Sequence, residues 1–287
     1  MSQTIGLVGS PNVGKSLLFN ILTNSYMVVS NYPGTTVEVT RGKVRIQGKP
    51  VEIVDTPGMY SLMPVTEEEQ VARRLLLEEK ISLVIHVVDA KNLKRHLLMT
   101  LQLLEAGLKV ILVLNMMDEV KKKGIDIDVL KLTKLLDIPV IPTTLIREEG
   151  VMAVKRAILH ELKREKDGIP SISISYPEKI EKAIYMITQL LRGKYPLTYR
   201  QLALFLINGD EEVAKLIKGR EKYFSEIMKI AKECAKALEE PVTYILALKR
   251  FSKVEEILRS VYTIKVNVKE RDSLSRLTMN PLTGIPL

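Results

Sequence analysis

Eight consecutive residues near the N-terminus match the pattern of a phosphate-binding loop, Gly-x-x-x-x-Gly-Lys-Ser. They are Gly9-Ser10-Pro11-Asn12-Val13-Gly14-Lys15-Ser16, and Leu17 follows in the predicted helix. Glycine at two fixed positions lets backbone N–H groups close around phosphate oxygens. We expect Lys15 to neutralise the β- and γ-phosphates of a nucleotide and the Ser16 hydroxyl to ligate Mg²⁺. An ordinary glycine-rich turn is the weaker interpretation, because a strand precedes this loop and a helix follows it.

A short acidic turn offers a second contact to the metal and the phosphates. The apolar strand Val51–Val54 is followed by Asp55-Thr56-Pro57-Gly58. We expect Asp55 to hold the Mg²⁺ shell through water and the Gly58 N–H to meet the γ-phosphate. The next residue, Met59, stands where many such enzymes have a glutamine that orients the attacking water. A thioether cannot do this, so the sequence predicts slow hydrolysis.

A third motif points to guanine as the base. The apolar strand Val110–Asn115 leads into Asn115-Met116-Met117-Asp118. A carboxylate at Asp118 can accept both N–H donors on the Watson–Crick edge of guanine, whereas adenine would leave it unpaired. We expect Asn115 and Asp118 to select guanine and Met116 to cover the face of the base. The backbone of Thr143-Thr144-Leu145 should complete the base pocket.

The loop Asn31–Glu38 lies between the first two motifs, and its candidate nucleotide contacts are Gly34, Thr35 and Thr36. A threonine there can complete the Mg²⁺ shell when GTP is bound and release it after hydrolysis. We choose Thr36 over Thr35 on the resemblance given below. Asn12 has two interpretations of equal weight: it coordinates K⁺ near the β- and γ-phosphates, or it stabilises the loop. The candidate catalytic groups are therefore Lys15, Asn12, Thr36 and Gly58.

The elements that must position these residues alternate in type over residues 1–165. Strands are predicted at Gln3–Val8, Lys43–Gln47, Val51–Val54, Leu83–Asp89, Val110–Asn115 and Val140–Pro142. Helices are predicted at Ser16–Leu22, Glu67–Glu79, Lys94–Ala106, Asp128–Leu136 and Gly150–Lys163, with a Thr66–Glu69 capping box before the second. This alternation indicates an α/β fold with a mostly parallel sheet covered on both faces. The region Lys43–Val54, turning at Gln47–Pro50, should be a hairpin that supplies an antiparallel edge.

The pattern changes after Lys163. The charged segment Arg164–Pro170 suits a linker, and beyond it apolar residues recur at i, i+3 and i+4. We therefore predict a second, all-helical domain at 170–268 and a separate final segment at 269–287. The helices of the domain at 170–268 are predicted at Pro177–Leu191, Thr198–Ile207, Glu211–Ile217, Arg220–Leu238 and Val242–Tyr262.

The composition is that of a globular protein, with 46% hydrophobic and 27% charged residues. No apolar run approaches the roughly 18 residues that cross a bilayer, and we expect no signal peptide. The single cysteine, Cys234, rules out an internal disulfide and fits a reducing compartment. The net charge of +9 would suit nucleic acid or an anionic membrane surface. However, aromatics are only 5% and the basic residues are spread along the chain, which favours solvated helix faces.

The motif order resembles that of TRAFAC-type GTPases with a hydrophobic residue in place of the catalytic glutamine. Within that group it is most similar to the ferrous iron transport protein B family. The resemblance is carried by Gly9–Ser16, Pro33–Glu38, Tyr60–Leu62, Glu68–Glu69, Val71–Arg73, Asn115–Asp118 and the terminal Arg271–Leu287. The terminal residues are similar to the family segment that leads into its first membrane span. Two motifs depart from the family, since Asp55–Gly58 often reads Asp-Leu-Pro-Gly and Thr143–Leu145 usually reads Thr-Ser-Ala.

The resemblance implies a Ras-like P-loop GTPase domain and a helical domain that favours GDP binding. It implies a regulatory part of a Fe²⁺ transporter at the cytoplasmic face of the membrane, itself soluble, that binds GTP and hydrolyses it slowly. The implied partners are GTP or GDP with Mg²⁺, the protein's own C-terminal transmembrane iron-permease domain and small accessory iron-uptake proteins. Nucleic acid is not expected, and a homo-oligomer stays open. The alternatives are an RNA- or ribosome-associated GTPase, which the basic charge would suit, and a scaffold without turnover, which rests on Met59.

Overall fold

The computed structural model describes residues 3–264 apart from 24–26, 47, 80, 165–171 and 173. The predicted final segment 269–287 lies outside the described residues. So do the predicted linker after Arg164 and Gln47 in the predicted hairpin turn. These predictions, and the domain boundaries that depend on them, stay predictions.

The described residues form strands and helices that we number in chain order. The strands are β1 (Gln3–Val8), β2 (Met27–Asn31), β3 (Glu38–Ile46), β4 (Lys49–Asp55), β5 (Ile81–Asp89), β6 (Val110–Asn115), β7 (Ile125–Ile127), β8 (Val140–Pro142) and β9 (Tyr262–Ile264). The helices are α1 (Lys15–Thr23), α2 (Glu67–Glu78), α3 (Leu93–Glu105), α4 (Met117–Lys122), α5 (Val129–Leu136), α6 (Val151–Lys163), α7 (Glu178–Leu190), α8 (Tyr199–Ile207), α9 (Glu211–Lys218), α10 (Phe224–Lys236) and α11 (Val242–Val261). None of these helices is long and apolar enough to cross a membrane.

Seven strands form one mixed sheet in the order β2-β3-β4-β1-β5-β6-β8. From β4 to β8 the neighbours run parallel, while β3 runs antiparallel to both of its neighbours, β2 and β4. The predicted mostly parallel sheet and the β3–β4 hairpin are confirmed. The predicted edge is wrong, because β2 lies outside β3. All five residues of β2 are exposed, so no alternation of apolar and polar residues marked it as a strand.

Alternate residues of the central strands face two different helix layers. In β5, Ile85 and Val87 pack with α1 and α6, whereas Val84 and Val88 pack with α2 and α3. Because both faces are buried, β5 and β6 are apolar along almost their whole length. The predicted capping box at α2 is confirmed: Thr66 accepts from the Glu69 N–H, and the Glu69 carboxylate accepts from the Thr66 N–H.

The second half of the described chain is helical, as predicted, and it packs directly on the first half. Helix α11 lies against α3 and α5, and the apolar cluster around α3 continues into α7–α11. The short strand β9 departs from the predicted all-helical domain, and it pairs antiparallel with β7 of the first half, which was not predicted either. Each is three residues long, too short to show a period of two. The six-residue helix α4 is also absent from the prediction.

Candidate functional site

The phosphate-binding loop connects β1 to α1, as predicted. Asn12 and Gly14 adopt positive φ angles of 65° and 95°, and a Cβ at Gly9 would collide with the Val87 carbonyl. The glycine pattern is therefore a backbone requirement of this turn. The helix that follows buries Leu18, Phe19 and Leu22, which fixes its N-terminus at the carboxyl edge of the sheet.

Lys15, Ser16 and Asp55 meet at this edge. The Lys15 ammonium forms an ion pair with one carboxylate oxygen of Asp55, and the Ser16 hydroxyl donates to the other at 2.8 Å. They come together because β1 and β4 are adjacent and parallel, with Leu7 in register with Asp55. A hydroxyl and a carboxylate are the hard oxygen donors that Mg²⁺ prefers, so this pair fits the predicted metal. Lys15 neutralises the same carboxylate.

The turn after Asp55 packs under the phosphate-binding loop. The Met59 N–H donates to the Gly9 carbonyl at 3.1 Å, and a Cβ at Gly58 would lie 2.9 Å from the Pro11 ring. The side chain of Met59 is 1% exposed and belongs to the core. It therefore presents no hydrogen-bonding group to a water molecule, as the sequence predicted.

The side chain of Asn115 connects the phosphate-binding loop with the predicted base loop. Its amide nitrogen donates to the Val13 carbonyl at 2.9 Å, and its oxygen accepts from the Leu145 N–H at 3.0 Å. The Thr143 hydroxyl lies 3.4 Å from the same oxygen. Asn115 is 4% exposed, so its amide acts here as a brace between the phosphate-binding loop and the base loop.

Asp118 lies in the first turn of α4, after Met116 in a left-handed conformation with φ 63°. No described residue donates to its half-buried carboxylate, which leaves both oxygens available to a ligand. The N–H groups of Thr143, Thr144 and Leu145 all donate to protein acceptors. The predicted contact of this loop with a base therefore stays a prediction.

The structure distinguishes the two candidate threonines of the loop Asn31–Glu38. The Thr35 hydroxyl donates to the Tyr32 carbonyl at 3.0 Å and accepts from the Val37 N–H at 3.3 Å, so Thr35 shapes the loop itself. Thr36 is exposed, and Gly34, two residues before it, has a positive φ of 77°. This division is compatible with Thr36 as the metal ligand, which stays a prediction.

Two family models match the chain. Residues 3–158 match the model described as "Ferrous iron transport protein B", and residues 176–263 match the "FeoB cytosolic helical domain". The chain belongs to the ferrous iron transport protein B (FeoB) family. Its fold is that of a P-loop GTPase domain followed by a helical domain, as the resemblance implied.

Curated FeoB relatives extend well beyond this chain. The "Fe(2+) transporter FeoB" of Legionella pneumophila (strain Lens) is 32% identical over 288 residues, which are 98% of this chain and 37% of that protein. A "Fe(2+) transport protein A/Fe(2+) transporter FeoB fusion protein" of Porphyromonas gingivalis is 37% identical over 223 residues, 76% of this chain and 26% of that protein. The chain thus spans about a quarter to two fifths of the length of these relatives.

Solved FeoB structures share the fold. The cytosolic domain of L. pneumophila FeoB has a TM-score of 0.79 at 31% identity, with 91% of this chain and 100% of that chain covered. The cytosolic domain of the T. maritima FeoB in its GMPPNP form has a TM-score of 0.78 at 32% identity, with 91% and 99% covered. These matches include both the sheet domain and the helices that follow it.

Sequence reasoning missed Gln102, the residue that holds the Gly58–Met63 loop of this FeoB chain. The Gln102 carbonyl oxygen accepts from the Leu62 N–H at 2.6 Å and from the Ser61 hydroxyl at 3.0 Å. Gln102 is 8% exposed on α3, next to apolar residues. A polar side chain on the buried face of a helix was the signal that could have found it.

The three histidines differ in their surroundings. His86 is fully buried in β5 with its Nδ1 3.1 Å from the Thr100 hydroxyl, and burial lowers its pKa to about 3. Burial also lowers the pKa of His96, and His160 is exposed on α6. The described part of the chain contains no cluster of three or more histidine, cysteine or acidic side chains able to hold a metal ion.

Proposed function

We propose that this chain is the GTP-binding, slowly GTP-hydrolysing regulatory part of a ferrous iron transporter, placed at the cytoplasmic face of the membrane. The observation that carries the proposal is the convergence of Lys15, Ser16, Asp55 and Asn115 at the carboxyl ends of β1, β4 and β6. Ligands of open α/β sheets bind at this edge. Related T. maritima structures are GDP and GMPPNP forms, which supports guanine nucleotides as ligands.

The ion pair of Lys15 with Asp55 suggests how the site accepts a phosphate. A triphosphate brings several negative charges to Lys15, which then exchanges the carboxylate for the β- and γ-phosphates. Asp55 and Ser16 are then free to serve as oxygen donors for Mg²⁺. When bound there, the metal ion would neutralise negative charge on the phosphates. Thr36 would join them when GTP is present. Asp118 would hold guanine, with Asn115 keeping the two loops around the base in place.

Hydrolysis should be slow because the side chain of Met59 cannot orient the attacking water. The exposed Asn12 adopts φ 65° at the turn of the phosphate-binding loop, and no described residue hydrogen-bonds its side chain. Its carbonyl oxygen is therefore available to a monovalent cation. We propose K⁺ in this position, where a positive charge would stabilise the transition state as an arginine finger does in related enzymes.

Contacts between the two halves support coupling of the nucleotide state to iron uptake. The Gly58–Met63 loop, which would sense the γ-phosphate, touches the helical part where the Asn208 amide lies 3.8 Å from the Met63 sulfur. We propose that loss of the γ-phosphate relaxes the loops and that the helical part passes the change to a transmembrane permease domain. The Porphyromonas fusion supports small accessory iron-uptake proteins as further partners.

The experiment that tests this function measures the affinities of GDP and GTP against ADP and ATP, then hydrolysis in K⁺ and Na⁺ buffers. We expect guanine-only binding and slow turnover that K⁺ stimulates, with the stimulation lost in Asn12→Ala. Equal binding of ATP would overturn the assignment of Asp118. Guanine binding without a cation effect would remove only the role of Asn12. Guanine binding without any turnover would favour the scaffold.

A further inference from the structure

Within the part of the chain that the structure describes, nothing covers the outer strand of the seven-stranded sheet. Strand β2 pairs with β3 on one side, and no described residue pairs with its other side. Met27, Val28 and Val29 expose 45%, 67% and 57% of their surface. The edge therefore presents free backbone N–H and C=O groups beside three apolar side chains, a surface that readily accepts another strand.

Strand β2 also lacks the features that protect sheet edges. Its sequence, Met27-Val28-Val29-Ser30-Asn31, has no charged residue and no proline, and its register with β3 has no bulge. The opposite edge of the same sheet differs, because β8 has only three residues and ends in Pro142. Of these two edges, β2 is the one suited to pairing.

We propose that β2 is a homodimerisation edge, to which a second copy of the chain adds its own β2 in antiparallel orientation about a two-fold axis at Val29. In this register Val29 lies opposite its counterpart, Val28 opposite Ser30, and Met27 opposite Asn31. All five residues of each strand then pair, and the two sheets become continuous.

The charges around the strand favour a second copy in this orientation. Exposed Glu38 pairs with Asn31 at one end of β2, and exposed Lys43 follows Gly42, which pairs with Met27 at the other end. An antiparallel pair places the acidic end of one copy at the basic end of the other, whereas a parallel pair would align like charges. The uncharged β2 itself adds no repulsion to two chains of net charge +9.

The charge nearest the centre of β2 is already compensated. Arg41 lies opposite Val28 on β3, and its guanidinium pairs with Glu79 and lies 3.9 Å from Glu52. Five paired residues bury less than the roughly 1,200 Å² typical of stable dimers, so association should be weak and concentration-dependent. On the proposed function, copies anchored in one membrane would gain effective concentration.

The test traps the dimer through its axis. In the full 287-residue chain, nucleotide-free, Cys234→Ser removes the natural thiol, and Val29→Cys places one thiol at the axis. Val65→Cys in the same background is the control, because Val65 is 87% exposed and lies outside β2. With diamide as oxidant, we expect Val29→Cys to form a disulfide-linked dimer at least ten times faster than Val65→Cys. Equal or slower cross-linking would overturn the proposal.

A second measurement does not depend on cross-linking. Val29→Lys puts a charge on the edge, and because the side chain is already exposed the fold should tolerate it. Sedimentation equilibrium should show a mass that rises with concentration for the unmodified chain and for Val65→Lys, and a monomer for Val29→Lys. Persistent association of Val29→Lys would overturn the proposal, as would a monomeric unmodified chain. Guanine binding, which tests the proposed function, is independent of both results.

Discussion

The amide of Asn115 shows what one buried side chain does for this site. It joins the phosphate-binding loop at Val13 to the base loop at Leu145. Ligand binding at either loop therefore affects the position of the other. Both of its ends are hydrogen-bonded within the protein, as a buried amide requires. Of the two residues predicted to select guanine, Asp118 is therefore the one with free hydrogen-bonding capacity.

Replacing Asp118 by asparagine should change the preferred base. Two hydrogen bonds to a carboxylate are together worth about 3 kcal/mol, so the affinity for GDP should fall roughly 100-fold or more. Xanthine has an oxygen where guanine has its amino group, so xanthosine diphosphate should bind more tightly to the variant. Titration with labelled nucleotides measures both affinities. Glu119→Gln is the matched control, and unchanged GDP affinity in Asp118→Asn would contradict the assignment.

His86 makes stability depend on pH. Burial lowers its folded pKa to about 3, below the usual value of about 6.5, so the unfolded chain binds more protons. The contribution of neutral His86 to the free energy of unfolding is complete above about pH 6.5 and is lost as the pH falls. Between pH 7 and pH 5 the loss amounts to about 2 kcal/mol of unfolding free energy. In urea unfolding, the free energy of unfolding of His86→Gln should fall by about 2 kcal/mol less between pH 7 and pH 5 than that of the unmodified chain. The exposed His160→Gln should behave like the unmodified chain.

At the scale of elements, the sequence predicts long and periodic features and misses short or exposed ones. The motif residues were predictable because Asp55 ends an apolar strand, while Lys15 and Ser16 begin the helix that follows a glycine-rich loop after another such strand. Strand β2 was not, because burial imposes no pattern on an exposed edge. Gln102 carried a signal as a polar residue on a buried helix face, but its partner did not, since Leu62 lies 40 residues away in sequence. A tether of this kind follows only from how α3 packs in three dimensions.

Removing this tether should loosen the Gly58–Met63 loop. In Gln102→Leu the Leu62 N–H loses its acceptor in a buried place, at a cost of about 1–3 kcal/mol. Hydrogen exchange at Leu62 should then accelerate by roughly 5- to 150-fold, because protection reflects the free energy of local opening. Gln201→Leu is the control, since the Gln201 side-chain oxygen is buried without a partner among the described residues. Equal exchange in both variants would show that Gln102 does not hold the loop.

At the scale of the molecule, the two family domains share one continuous apolar cluster from β5 and α3 into α7–α11. Polar contacts cross the same boundary: the Glu105 carboxylate at the end of α3 accepts from the Arg250 guanidinium on α11 and from the Tyr176 hydroxyl, both at 2.8 Å. Such packing favours the two parts moving together. A change in the loop before α2 would then reach the helical part through few and rigid contacts.

The most direct of these contacts is the buried pair of Arg73 on α2 with Asp210 before α9. Their charged groups lie 2.7 Å apart at 3% and 4% exposure, and the Arg73 guanidinium also stacks 4.7 Å from the Phe205 ring. Asp210→Asn keeps the side-chain cap to the Val213 N–H but leaves Arg73 with only the more distant carboxylate of Glu212, at 3.9 Å. Breaking one side of such a pair costs about 3–5 kcal/mol. We therefore expect a large loss of unfolding free energy when either Arg73 or Asp210 is replaced alone.

A double-mutant cycle of Arg73→Met and Asp210→Asn, followed by urea unfolding, isolates the coupling between the two parts. We expect a coupling energy of about 2 kcal/mol or more, because the double variant no longer buries an unpaired charge. The neighbouring pair of Arg74 and Glu212 bridges the same two elements at 37% and 30% exposure. Its cycle should give less than about 1 kcal/mol, because solvent screens it. Similar small values for both pairs would mean that apolar packing alone connects α2 to α9.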